Sequence, residues 1–247
     1  MMRAGFHFFL IGILTLLTQV GGLAWFCALF FKRRFLTFTF AYVALSLSAV
    51  FIAPSFGRVA LPCHSGGPMK MQSVMYCALN RHYVVPEMRD VLSDTASEIA
   101  RIYPGTLTLI LDASFPFFDT FPLLPHLSHD DGQKADIAFY YQSDGAYLPG
   151  KTRSPVGYFA FENGMTTCPP NAISLRWNAR ALQPLWPDWQ LEPERTRAVM
   201  RILANDLRVG KMFIEPHLTT RLQISSEKIR FQGCRAARHD DHIHVQL

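Results

Sequence analysis

No Asp, Glu, Lys or Arg occurs between residues 6 and 31, which hold one histidine, His7, and none between residues 35 and 56, in a chain of 247 residues. Each run is long enough to cross a hydrocarbon core of about 30 Å as a helix rising about 1.5 Å per residue. Charge returns between them only at Lys32, Arg33 and Arg34. The pattern predicts a two-helix transmembrane hairpin rather than the alternative of a cleaved signal peptide, which has one apolar core of roughly 7–15 residues. Short basic loops stay on the cytoplasmic side, so both termini and everything beyond Arg58 are expected on the outer side. Close Cys-x-x-Cys spacing is also lacking among the five cysteines, which argues against a cysteine-based structural metal site. Cys27 lies in the first apolar run. Cys63, Cys77, Cys168 and Cys234 lie in the exported part and allow two disulfides with three possible pairings. No run of basic residues interleaved with aromatics appears downstream. The formal net charge of +5, to which the basic loop contributes, therefore does not indicate nucleic-acid binding.

What is present is concentrated at the end of the chain, which reads Arg-His-Asp-Asp-His-Ile-His-Val-Gln-Leu over residues 238–247. Its second half alternates, with His242, His244 and Gln246 on one side and Ile243, Val245 and Leu247 on the other, and this predicts a strand. The apolar side fixes the strand to a core and holds two imidazoles still on one face, an arrangement suited to a metal or to acid–base chemistry. A metal would need a further ligand from upstream.

Residues 1–58 are the predicted membrane part, 59–82 a turn-rich linker with His64 in a solvated loop, and 83–247 the exported domain. Pro86-Glu87 opens a helix with apolar positions at Met88, Val91, Leu92, Ile99 and Ile102, stopped by Pro104-Gly105. A strand follows over 106–111. Residues 123–141 place His126 and His129 before the polar turn Asp130-Asp131-Gly132, and then a strand over 135–141 that contains Asp136. A carboxylate in an apolar strand requires a cation if buried; taken alone, the segment fits a solvent-facing Asp136 as well. Further strands are expected over 158–161, 172–177 and 212–215, and a helix over 194–207. Trp186 and Trp189 are read as loop anchors, Glu215 as a surface carboxylate and His217 as a packing residue. Residues 224–230 are expected to begin a hairpin whose final strand is the chain end. The expected fold is α+β, a small antiparallel sheet carrying the metal with helices around it.

Pro-His-x-Ser-His followed by Gly-x-x-x-Asp-Ile-x-Phe-Tyr, together with the terminal His-Asp-Asp-His-x-His-Val, resembles the penicillin-insensitive murein endopeptidases. These belong to the group of zinc peptidases that includes lysostaphin, the D-alanyl-D-alanine peptidases and the Hedgehog proteins. The resemblance is concentrated at these motifs and does not cover the membrane part. It implies Zn2+ held by His129, Asp136 and His244, His242 as the catalytic imidazole, His239 supporting it, and His126 as a further metal-associated histidine. Three protein ligands leave a position for water, as in catalytic rather than structural zinc sites. The implied substrate is the peptide cross-link of peptidoglycan, at a D-alanyl to diaminopimelate bond, reached by a multi-pass protein of the bacterial inner membrane with its domain on the periplasmic side. A D-alanyl carboxypeptidase or other extracytoplasmic peptidase, and a non-catalytic zinc-stabilised binding module, are the alternatives.

Overall fold

A computed structural model describes residues 2–64, 66–164, 166–169, 174–177 and 179–247. The fold is mixed α+β. Its centre is a six-stranded sheet in the order Ile229–Arg230, Lys211–Phe213, His242–Gln246, Lys134–Ala138, Thr108–Ile110, Met69–Met71. The terminal strand lies inside this sheet, antiparallel to both neighbours, while the two outermost pairings are parallel. Ile243 and Val245 are fully buried on one face, in the same apolar core as Met88, Val91, Leu92, Val199, Met200 and Leu203. Those six come from two amphipathic helices, Pro86–Ile102 and Pro193–Asn205. Each helix starts with proline at its first position; Glu192 caps the second by accepting from the Arg195 amide at 2.7 Å. Burying one face this way leaves the other face of the terminal strand for His242 and His244.

Several sequence expectations are corrected. The segment read as a linker over 59–82 carries the edge strand Met69–Met71, the short helix Val74–Ala78 and a Cys63–Cys77 disulfide, so it belongs to the domain. Residues 158–161 are irregular, with Phe159 at φ 66°. The strand expected over 172–177 falls partly outside the described residues, and 174–177 are irregular. Ile229–Arg230 pairs in parallel with Lys211–Phe213 and not with the terminal strand, so the expected hairpin does not form. Glu215 is buried, not superficial: Arg176 donates to both its oxygens at 2.9 and 2.8 Å, as a buried carboxylate requires.

The membrane part also differs. Residues 6–31 do not form one helix; the chain breaks after Met2–Thr18 at Gln19, whose φ is 66°, and resumes as Gly21–Ala28. The glycine pair lets the second helix fold back closely along the first. A side chain on Gly21 would meet Leu14 and Thr18, and one on Gly22 would meet Ile11 and Thr15. Trp25 Nε1 then donates to His7 Nδ1 at 3.4 Å. The chain thus doubles back toward its own start before Lys32. Arg34–Phe56 is one helix long and apolar enough to cross a membrane.

Cys63, Cys77 and His82 cluster, but both sulfurs are committed to the disulfide. Burial lowers the His82 imidazole to about 4, against about 6.5 in an unfolded chain. The unfolded chain therefore takes up a proton between these values that the folded one refuses, and stability falls as pH drops from 6.5 toward 4. A loss of ~3 kcal/mol is expected across that window. Chemical denaturation at pH 7 and pH 4.5 should show a His82→Gln chain losing correspondingly less than the native chain. Equal losses would remove His82 as the source.

Candidate metal centre

The register of the terminal strand builds the site. His244 lies directly opposite Asp136 across the ladder, and His242 opposite Ala138, so Asp136, His242 and His244 share one face. His129 reaches the same point from the loop before Lys134–Ala138. Its Nδ1 donates to the Ala113 carbonyl at 3.0 Å, which leaves the Nε2 lone pair facing inward. Tyr158 Oη donates to Asp136 Oδ2 at 2.6 Å and leaves Oδ1 for the imidazoles. Three ligand atoms then converge: His244 Nδ1 to Asp136 Oδ1 is 2.8 Å, His129 Nε2 to His244 Nδ1 is 3.0 Å, and His129 Nε2 to Asp136 Oδ1 is 3.4 Å.

These residues could hold a metal ion. Zinc bonds of about 2.0–2.1 Å in tetrahedral array set ligand atoms about 3.3 Å apart, within the span of the three separations. One proton on His244 Nδ1 can serve only one of its two neighbours, whereas a cation serves all three lone pairs together. All three residues are buried, His129 and Asp136 at 1% exposure and His244 at 2%. Burial alone would raise the Asp136 carboxyl, yet His129 and His242 hold it well below the usual carboxylate range, so it is anionic, as a metal ligand must be. The Gln246 amide stands 2.9 Å from His244 Nε2. The atom placed there is the amide nitrogen; turning the amide over would set its oxygen to accept the Nε2 proton and leave Nδ1 free to ligate.

The remaining histidines surround this cluster without joining it. His242 donates from Nδ1 to Asp241 Oδ1 at 2.6 Å, and its Nε2 lies 3.6 Å from Asp136 Oδ1. Although burial opposes its charge, Asp136 and Asp241 raise His242 to about 9. His239 packs against it with ring centroids 4.9 Å apart. Burial, and then the proximity of His242 and His244, keep His239 well below the ordinary histidine value. His126 is turned toward Asp112 Oδ2, 2.8 Å from its Nδ1, with Asp136 Oδ2 farther off at 3.8 Å. Asp240 pairs with Arg238 and Asp131 with Lys134, so among the four turn aspartates Asp241 is the one that orients an imidazole in this way.

Sequence reasoning missed Asp112, Arg81, Tyr158 and Gln246 as members of the site. Asp112 is fully buried at the end of the Thr108–Ile110 segment, gripped by Arg81, whose Nη1 also donates to the Leu124 carbonyl just before His126. The available signal was a carboxylate directly after an apolar strand, which requires a cation. Phe159 donates its amide to Asp241 Oδ2 at 2.6 Å, which ties the irregular 158–161 segment to His242. Trp186 anchors the same segment through the Phe159 carbonyl at 2.8 Å. Over the cluster opens a cavity of about 280 Å³ whose walls include Leu127, Phe159, Phe161, Leu175 and Trp177. Cys168–Cys234 closes a separation of 66 residues and fixes the segments bearing these walls. Replacing both cysteines by serine is expected to lower stability by about 4 kcal/mol, measured as the shift in denaturant midpoint; an unchanged midpoint would contradict this.

No protein-family model matches the chain, and no curated protein matches it.

Proposed function

We propose that the chain is a membrane-anchored zinc metallopeptidase that hydrolyses peptide cross-links of peptidoglycan, at the D-alanyl to diaminopimelate bond. The observation that carries the reading is the convergence of His129, Asp136 and His244 beside an imidazole, His242, that is held by its own carboxylate at the floor of an open cavity. Two histidines and one aspartate are a three-ligand set of the kind that leaves a fourth position open, as catalytic zinc sites do. Zinc bound there would acidify a water and polarise the scissile carbonyl.

The protein groups have separable tasks in this reading. Asp241 accepts the Nδ1 proton of His242 and so directs Nε2 at the reacting centre; a cation bound beside it would offset the Asp136 charge that raises this imidazole, leaving Nε2 able to take up the proton of the attacking water and return one to the leaving amine. Neutral His239, packed at a tilt beside it, adds no second positive charge next to that imidazole. Tyr158 holds the Asp136 carboxylate in its ligating orientation. Leu127, Phe159 and Phe161 shield the bond from bulk solvent.

The Arg34–Phe56 helix anchors the domain, with the Lys32-Arg33-Arg34 loop on the cytoplasmic side and the cavity on the periplasmic side of a bacterial inner membrane. The Met2–Thr18 and Gly21–Ala28 pair packs with it as part of the same membrane unit.

The test is mass spectrometry of cross-linked muropeptide dimers incubated with the zinc-loaded full chain, beside a chelated sample. Conversion to monomers in the zinc sample alone supports the reading and identifies the bond. Unchanged dimers in both samples overturn it and favour another peptide, or a metal-stabilised binding module.

A further inference from the structure

The exported domain does not stand clear of the anchoring helix. Asn80 Nδ2 donates to Ser46 Oγ at 3.1 Å, and Tyr42 Oη donates to the Ala78 carbonyl. Tyr42 and Ser46 lie about 15–21 Å back along the helix from Phe56, at about 1.5 Å per residue. Ala49 and Ala53 are fully buried and cluster with Tyr83 of the domain. The other side of the same helix exposes Leu47 at 62% and Phe51 at 83%. One face of the helix is therefore occupied by the domain over much of the depth at which its opposite face is bare and apolar. A domain clamped there must itself turn a surface toward whatever solvates Leu47 and Phe51.

The surface beside the end of the helix has the composition for that environment. Phe56 packs edge-on against Phe117 and Phe118, with ring centroids 5.2 and 5.8 Å away. The segment 115–127 continues from these rings, and Phe118, Leu124 and Leu127 are 58%, 48% and 55% exposed. Asp119 is its one Asp, Glu, Lys or Arg, and its charge is paired with Arg58, the first charge after the span. On the domain side of the helix contact, Val74 and Met75 are also exposed, at 58% and 42%. An apolar loop of this kind would be costly in water, and aromatic side chains are favoured where bilayer and water meet.

We propose that the 115–127 loop is immersed in the outer leaflet of the bilayer that the Arg34–Phe56 helix crosses, so that the metal cavity opens at the membrane surface. The proposal rests on the anchoring read above. The occupant is lipid because the patch is continuous, through the Phe56–Phe117–Phe118 contact, with the partly exposed apolar end of the span. Pro125, His126 and Leu127 line the cavity and belong to this loop, and His129 follows it. Peptides tethered to the membrane would thus meet the metal ligands without leaving the interface, whereas material farther out would have to descend to them.

The test uses nitroxide labels on the full chain in phosphatidylethanolamine–phosphatidylglycerol vesicles, with Cys27→Ser removing the one free cysteine. Labels are placed singly through Phe118→Cys, Leu124→Cys, Leu47→Cys and Ser97→Cys, the last on the exposed side of the Pro86–Ile102 helix. Power saturation compares access of oxygen with access of a water-soluble nickel chelate. Positions 118 and 124 are expected to match 47, open to oxygen and shielded from nickel, while 97 shows the reverse. Labels at 118 and 124 that take nickel as 97 does, with 47 still in lipid, overturn the immersion alone. A label at 47 that also takes nickel overturns the anchor and the immersion with it. Shielding of 118 and 124 from both reagents means that protein covers the loop, and overturns lipid as the occupant.

Discussion

Asp136→Asn is expected to leave the fold in place and remove the metal. The amide keeps the volume of the carboxylate, and its oxygen can still accept from Tyr158 Oη, which lies 2.6 Å from Asp136 Oδ2. What it loses is the negative charge that His129, His242 and His244 surround. A neutral amide is a poor zinc ligand, and the two imidazoles that remain are too few for a tetrahedral site. Loss of an outer partner of a metal ligand costs about 10–100-fold in affinity, so loss of the anionic ligand should exceed about 100-fold. Competition against a chromogenic chelator measures this directly, with circular dichroism reporting that the fold persists. Native-like zinc affinity in Asp136→Asn would mean that the metal, if any, sits elsewhere.

His242→Ala is expected to separate chemistry from metal binding. His242 ring atoms are not among the three converging ligand atoms, and its Nδ1 is committed to Asp241. Zinc affinity should therefore stay within a few-fold of the native chain. A positioned imidazole contributes about 10²–10⁴ to a proton-transfer step, and kcat for muropeptide cleavage should fall by that factor with KM little changed. Asp241→Asn should produce a smaller fall, because it disturbs the tautomer and aim of the ring without removing it. Turnover retained in His242→Ala would take this residue out of the mechanism and leave proton transfer to another group.

The terminal strand was legible because alternation with Ile243 and Val245 is what a half-buried strand requires, and the imidazoles on the other side inherit its rigidity. Asp136 was legible as a carboxylate out of place. Its register against His244 was not, since pairing between strands more than a hundred residues apart leaves no local trace. The cysteine pairing was open for the same reason, and the structure joins Cys63 to Cys77 and Cys168 to Cys234. Tyr158 reads as part of a strand over 158–161, and because the chain there is irregular, nothing in that pattern points its hydroxyl at Asp136. Asp112 escaped because the strand before it reads as scaffold. The break at Gln19 was hidden by hydropathy, which scores a window as apolar whether or not a glycine pair inside it lets the chain double back. His126 was placed in the site by resemblance, but its tie to Asp112 depends on Arg81, a residue with no motif around it.

Zinc held jointly by His129, Asp136 and His244 is tested most directly by elemental analysis of the purified full chain. Inductively coupled plasma mass spectrometry should find about one zinc per chain in the native protein and in His242→Ala, the stoichiometry of a single mononuclear site. Asp136→Asn should retain only a small fraction of it. A native chain that takes up no zinc, or an Asp136→Asn chain that carries as much as the native one, would contradict the account.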